Sequence, residues 1–255
     1  MELAELCERY DTRLRVGEWS DLDASANGLQ VGPPAAEVEH VAFAVDAAVA
    51  TAEAAREAGA DALVVHHGLS WGGIERVTGQ AYERIAPLVE GDLALYAAHL
   101  PLDGHQELGN AAGVADLLGL EDREPFGEHG PEHVGQRGRL PAPESADAVA
   151  DLLAADLDTG DGRVRALDFG PDDLSEVAIV TGSGADYLQE ARAAGVDCLV
   201  TGEGKQKLYH EAREAGVTAV LAGHYATETF GVRSLQSLAE VWGLETTFLD
   251  HPTGL

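Results

Sequence analysis

Along the opening stretch, apolar residues recur at Leu3, Leu6, Cys7, Tyr10 and Leu14, the spacing of one face of a helix. The pattern then changes. Asn27-Gly28 reads as a turn and Pro33-Pro34 as the close of a loop. Val41-Ala-Phe-Ala-Val45 is an apolar run of strand length, and alanine-rich helix is predicted from Ala47 to Ala58, ending at Gly59. A second apolar run from Asp61 stops at His66-His67-Gly68. Beyond it come a glycine-rich turn at Trp71-Gly72-Gly73, a helix near 81–90 and a strand over 93–98. His99-Leu-Pro-Leu-Asp103 breaks that strand, and a helix follows from about 107 to 118. Strands alternating with helices of this length predict βαβ units with mainly parallel sheets, an α/β fold.

The second half echoes the first. Val41–Val45 matches Val177-Ala-Ile-Val-Thr181, and Gly59–Gly68 matches Gly195-Val-Asp-Cys-Leu-Val-Thr-Gly-Glu-Gly204, both at an offset of 136. The offset then becomes 125, aligning Leu95–Asp103 with Val220-Leu-Ala-Gly-His-Tyr-Ala-Thr-Glu228, and Ala115–Glu121 follows with Ala239–Glu245 one position closer. Four matches in order predict an internal duplication of two α/β units. On this reading residues 1–122 form the first repeat, 123–143 an irregular connector, and 144–255 the second repeat.

The repeated strand ends carry the chemistry. Strand packing does not call for two adjacent imidazoles, since a buried ring needs a partner for each nitrogen. Open parallel sheets collect ligands where their strands stop. An isolated His66-His67 pair reads equally as two loop histidines or as ligands to one metal or two. Both halves add a His-x-x-x-acid element after a strand, His99 with Asp103 and His224 with Glu228. His224 and Glu228 project from one face of a helical turn. Pro101 opposes helix in the first copy, so Asp103 is expected on a loop. A lone His-x-x-x-Glu is usually a surface ion pair, but its recurrence favours a mixed imidazole and carboxylate site. Such a set suits zinc, iron or manganese, and two such ions can share and acidify a water.

Composition narrows the partners. Forty-five acidic residues face 16 basic ones, a formal charge of −29, and Lys205 and Lys207 are the only lysines. The acid is spread through a chain that keeps its apolar periodicity, as in a folded protein adapted to a high-salt cytoplasm. It argues against a broad nucleic-acid footprint. Cys7 and Cys198 lie far apart and read as free core thiols. With neither a secretory leader nor a bilayer-length apolar run, the expected location is cytoplasmic, without membrane partners.

Asn27-Gly-Leu-Gln-Val31, Gly59–Gly68, His99–Asp103, Leu108-Gly-Asn110, Gly195-Val-Asp197, Thr201-Gly-Glu203 and Gly223–Glu228 together resemble the Nif-three-like, or YbgI-like, family. Its members often carry the name GTP cyclohydrolase I type 2 homolog. The resemblance runs from about residue 20 to Phe248-Leu-Asp-His-Pro252. It implies two similar, intertwined α/β/α units, a dinuclear metal centre and a toroidal homohexamer. By motif, the implied metal ligands are His66, His67, Asp103, His224 and Glu228, with Glu228 bridging two divalent ions. Tyr225 stands where relatives can carry another histidine.

The function this implies is metal-dependent hydrolysis, of GTP cyclohydrolase type, on a nucleotide or other phosphate compound. The alternative is a non-catalytic hexamer that stores, delivers or scaffolds metal, with DNA or transcription-factor binding disfavoured by the charge. His99 is a candidate catalytic proton shuttle or a structural hydrogen-bonding group. Glu203, the counterpart of His67, is a candidate catalytic group or a helix cap. Thr181-Gly182-Ser183-Gly184 reads as a tight turn or a phosphate loop. The connector histidines His129 and His133 are expected in solvent, and Lys205 and Lys207 to meet an anion or balance local acid.

Overall fold

The computed structural model of the chain describes residues 1–255. In chain order the elements are α1 (Leu3–Leu14), β1 (Gly28–Val31), β2 (His40–Asp46), α2 (Val49–Glu57), β3 (Ala62–His67), α3 (Gln80–Glu90) and β4 (Ala94–Ala97). There follow α4 (Leu100–Asp103), α5 (Asn110–Leu117), β5 (Glu121–His129), β6 (Glu132–Glu144), α6 (Ala146–Asp156), β7 (Arg165–Leu167) and β8 (Leu174–Val180). The chain ends with α7 (Leu188–Ala193), β9 (Cys198–Thr201), α8 (Leu208–Ala215), β10 (Thr218–Leu221), α9 (His224–Thr227), α10 (Thr229–Val241) and β11 (Glu245–Phe248).

Two compact units result, each drawing on two stretches of chain. One comprises Met1–Leu102 with Gly231–His251, the other Asp103–Phe230 with Pro252–Leu255. In the first, a five-stranded mixed sheet runs in the order β1-β4-β3-β2-β11. Strands β11, β2, β3 and β4 are parallel, and β1 is antiparallel at the edge. Successive strand residues feed opposite faces, as the period of two requires. Val41, Phe43, Val64 and Tyr96 join a core with Leu3, Leu6, Tyr10 and Leu14 of α1 and Val232, Leu235 and Ala239 of α10. Ala42, Ala44, Leu63, Val65 and Leu95 join a second core with Ala52 and Ala55 of α2 and Leu88 of α3. Helix, sheet and helix thus make three layers.

The second unit has a six-stranded mixed sheet in the order β5-β6-β8-β9-β10-β7. Its parallel strands β8, β9 and β10 bury Val177, Ile179, Cys198, Val200 and Val220 against α5 and α6, while α7 and α8 pack on β9 and β10. The paired register supports the sequence repeat. Val41 pairs with Ala62 as Val177 pairs with Cys198, each position displaced by 136. Asp61 Oδ2 accepts the amides of Glu39 and His40, and Asp197 Oδ2 those of Ser175 and Glu176, at 2.8–3.0 Å. Gly59 and Gly195 end the preceding helices at the same φ of 73°.

Three expectations change. The stretch expected as an irregular connector, 123–143, is an antiparallel hairpin of β5 and β6, and β6 also pairs with β8. Its outer strand is mostly exposed and charged, so the apolar alternation that announces a half-buried strand is missing. The expected boundaries at 122 and 144 also differ from the packing. Helix α5, which follows the third parallel strand of the first sheet, buries Ala111, Val114 and Ala115 in the second unit. Helix α10, which follows β10, is packed in the first unit, and β11 continues into the first sheet. An amphipathic helix has the same pattern whichever sheet it covers, so this exchange leaves no trace in the periodicity. Finally, Asp103 lies on the helical turn α4, not on a loop. Pro101 sits in the first turn, where its missing N–H has no helical partner to lose. No helix is long and apolar enough to cross a membrane.

Candidate metal centre

In the first unit the carboxyl ends of β3 and β4 gather three imidazoles, and β2 ends beside them in Asp46. One ligand atom from each of His66, His67 and His99 lies within 4.8 Å of the other two. Each ring is held through Nδ1. His66 Nδ1 lies 2.9 Å from the carbonyl oxygen of Ala98. A carbonyl can only accept, so Nδ1 carries the proton and the neutral ring keeps its lone pair on Nε2. His67 Nδ1 lies 2.8 Å from Asp46 Oδ1, and His99 Nδ1 lies 2.9 Å from Asp23 Oδ1. Carboxylate or carbonyl acceptors behind ligating histidines fix the tautomer and raise basicity at the other nitrogen.

Asp23 is built to stay ionised. Burial opposes its charge, but the hydrogen bond and charge of His99, with bonds from Asn27 and the Ser25 amide, outweigh it and lower its pKa to about 2. Its Oδ2 also accepts the Leu100 amide at 2.9 Å, while Asn27 Oδ1 accepts the His99 amide at 2.7 Å. Gly68 permits the close packing here, since a Cβ would strike the Gln30 amide and Ala97.

In the second unit the corresponding strand ends gather carboxylates. His224 Nε2 lies 3.2 Å from Glu228 Oε1 on the turn α9, and Nδ1 lies 3.5 Å from Glu203 Oε1. Ser183 Oγ donates to that same oxygen of Glu203 at 2.5 Å. An oxygen of buried Asp103 lies within 4.8 Å of one of buried Glu228. Asn110 Nδ2 donates to Asp103 Oδ1 at 2.8 Å, and Thr181 Oγ1 lies 3.4 Å from it. Gly182, at φ 56°, leaves room for Glu228, because a Cβ there would collide with Oε1. Burial disfavours the His224 cation, yet the bond and charge of Glu228, then Glu203, outweigh it and raise its pKa to about 9.

Both sets fit a divalent cation. Two buried carboxylates this close repel unless positive charge stands between them. Imidazoles with Nδ1 tied offer Nε2, as metal-binding histidines do. His66, His67 and His99 come together in one unit, and Asp103, Glu203, His224 and Glu228 in the other.

A family model described as Duf34/NIF3 (NGG1p interacting factor 3) matches residues 1–253. The chain belongs to this family. A relative from Halobacterium salinarum named GTP cyclohydrolase 1 type 2 homolog is 63% identical over 255 residues, covering all of both chains. The crystal structure of TTHA1606 from Thermus thermophilus is 41% identical, with a TM-score of 0.90 and full coverage of both chains. The structure of the protein ybgI is 34% identical at the same TM-score and coverage.

The remaining candidates divide between supports of this set and residues apart from it. Thr181-Gly182-Ser183-Gly184 is a turn whose side chains serve Asp103 and Glu203. Glu203 caps no helix. His129 and His133 are half-buried in the β5–β6 hairpin, where solvent was expected. Lys205 and Lys207 both pair with Asp186, balancing local acid. Cys7 and Cys198 are free and buried, and burial raises their thiol pKa to about 11 and about 12. Sequence reasoning missed Asp23 and Asp46, two acids among 45. The signal for Asp46 was its place directly after a matched strand; Asp23 had none.

Proposed function

We propose that this NIF3-family protein holds two divalent ions through His66, His67, Asp103, His224 and Glu228, with Glu228 bridging, and is a metal-dependent hydrolase. The observation that carries the reading is the build of the strand ends: imidazoles tied back through Nδ1 in one unit and close-set carboxylates in the other. Zinc, iron and manganese all suit this donor set. Bound there, the ions would supply Lewis acidity and lower the pKa of a water.

The chain's own residues have distinct tasks. Asp46 and the Ala98 carbonyl orient His67 and His66, and Asn110 holds Asp103. Glu203 is a positioning residue that turns His224, not an acid acting on substrate. His99, fixed through Nδ1 by Asp23, is the group that holds and passes a proton through Nε2. A nucleotide or other phosphate compound is the substrate class, supported by the name its relatives carry, GTP cyclohydrolase 1 type 2 homolog. Cyclohydrolase chemistry opens the imidazole ring of GTP with loss of formate. The test is GTP turnover by the metal-loaded protein, with formate and phosphate release followed separately. His99→Gln should retain metal and lose most turnover. Turnover unaffected by chelation or by His99→Gln would refute the assignment.

Self-assembly to a homohexamer belongs to the same reading and rests on the family resemblance. Light scattering in molar KCl should give a hexamer, and a monomer would count against it.

A further inference from the structure

The chain has three tryptophans, and two of them are packed away. Trp19 is 1% exposed, and Trp242 is half-buried against Tyr10, their rings 5.0 Å apart. Trp71 is 47% exposed and stands at the histidine end of the first unit. Its ring centre lies 4.9 Å from that of His99 and 6.0 Å from that of His67. The planes of Trp71 and His99 meet at 77°, and an edge contact of this kind occupies at most one face of the indole.

The ring is also fixed. Nε1 donates to the carbonyl of Gly68 at 3.1 Å. On the backbone, Trp71 bridges to Ser25, the Gly72 amide donates to Ala24 at 2.7 Å, and the Ala26 amide donates to Ser70 at 3.0 Å. Ile74 and Val77, a few residues further along the chain, are each 45% exposed. Leaving a large apolar ring half in water forgoes the stabilisation of burying it. A side chain that only shielded the histidines would gain by burying the rest of its surface.

We propose that Trp71 is a substrate-positioning residue whose open indole face stacks a planar heteroaromatic ring of purine size at the His66–His67–His99 cluster. Every purine carries a π-face, and stacking on a fixed aromatic ring needs no hydrogen-bond code. The inference deepens the proposed function, since the ring it captures would belong to the molecule on which the metal centre acts. It also explains how a chain without a recognisable guanine-reading motif can hold a nucleotide.

The test uses metal-loaded protein titrated with guanosine, which has the ring without phosphate, and with ribose 5-phosphate, which has phosphate without the ring. Guanosine should quench tryptophan emission and ribose 5-phosphate should not. By calorimetry, Trp71→Ala should weaken guanosine binding about tenfold, and Trp71→Phe should keep most of it. Metal content should be unchanged in both variants. Absence of guanosine binding to the native protein would overturn the proposal, as would native affinity in Trp71→Ala. Loss of metal in both variants would overturn it too, making the indole a structural support of the histidines. Failure of the hydrolase reading is separable: guanosine would still stack on a protein that turns nothing over.

Discussion

In the first unit the paired strands β2 and β3 run out into Asp46 and His67; at the same register in the second, β8 and β9 run out into Gly182 and Glu203. At one end a carboxylate stands behind an imidazole, Asp46 to His67 at 2.8 Å. At the other the carboxylate has moved to the second strand, and glycine occupies the first because Glu228 needs its space. The third strand adds a histidine in each unit. His99 follows β4 after one residue, whereas His224 follows β10 after two, the second being Gly223 at φ 94°. A single backbone plan thus yields an imidazole-rich end and a carboxylate-rich end. Hydrogen bonds such as those of Asp61 and Asp197 recur in both units, while the residues at the strand ends set imidazoles in one and carboxylates in the other.

Gly182→Ala should break the comparison most severely. It places a Cβ against Glu228 at a positive φ, and a cost of about 2–3 kcal/mol is expected from strain and overpacking together. A denaturant melt measures it, and the variant should also lose metal. Asp46→Gly, the reciprocal change, should cost less, about 1 kcal/mol, from added backbone freedom and the lost bond to His67, because it opens space instead of filling it.

Removing the orienting acids sharpens the contrast. Asp46→Ala should weaken metal binding about 10–100-fold, the usual cost of losing a ligand's hydrogen-bond partner. Glu203→Ala should fall at the low end of that range, since its contact with His224 is 3.5 Å against 2.8 Å for Asp46 with His67. Competition titrations with a chromophoric chelator would rank the two, and equal losses would remove the distinction.

A smaller effect separates the ends by pH. His224 has a pKa of about 9 in the folded chain against an ordinary value of 6.5. In metal-free protein the His224–Glu228 attraction therefore stabilises fully below pH 6.5 and is lost as pH rises through about 9. Melting temperature after chelation should decline across that window, and Glu228→Gln should flatten the decline. Metal displaces the same proton, so metal affinity should instead rise with pH.

Much of this was legible in the chain. The buried face of α1 is the predicted one, and the strand ends at His67, His99 and His224 lie where the broken apolar runs placed them. The β5–β6 hairpin was illegible because its outer strand, Glu121-Asp-Arg-Glu-Pro, buries nothing over its first five residues. The exchange of α5 and α10 was illegible because periodicity encodes an apolar face and not the sheet it meets. Asp23 and Asp46 were hidden by abundance: in a chain with 45 acids, only the fold tells an orienting carboxylate from a solvated one.

The most direct test of the account is the metal content of the purified protein, loaded with zinc, iron or manganese and measured by plasma mass spectrometry beside Glu228→Ala. The native chain should carry about two ions and the variant clearly fewer, because the proposed bridge serves both. A native chain that retains no metal, or a Glu228→Ala chain that keeps its full complement, would contradict it.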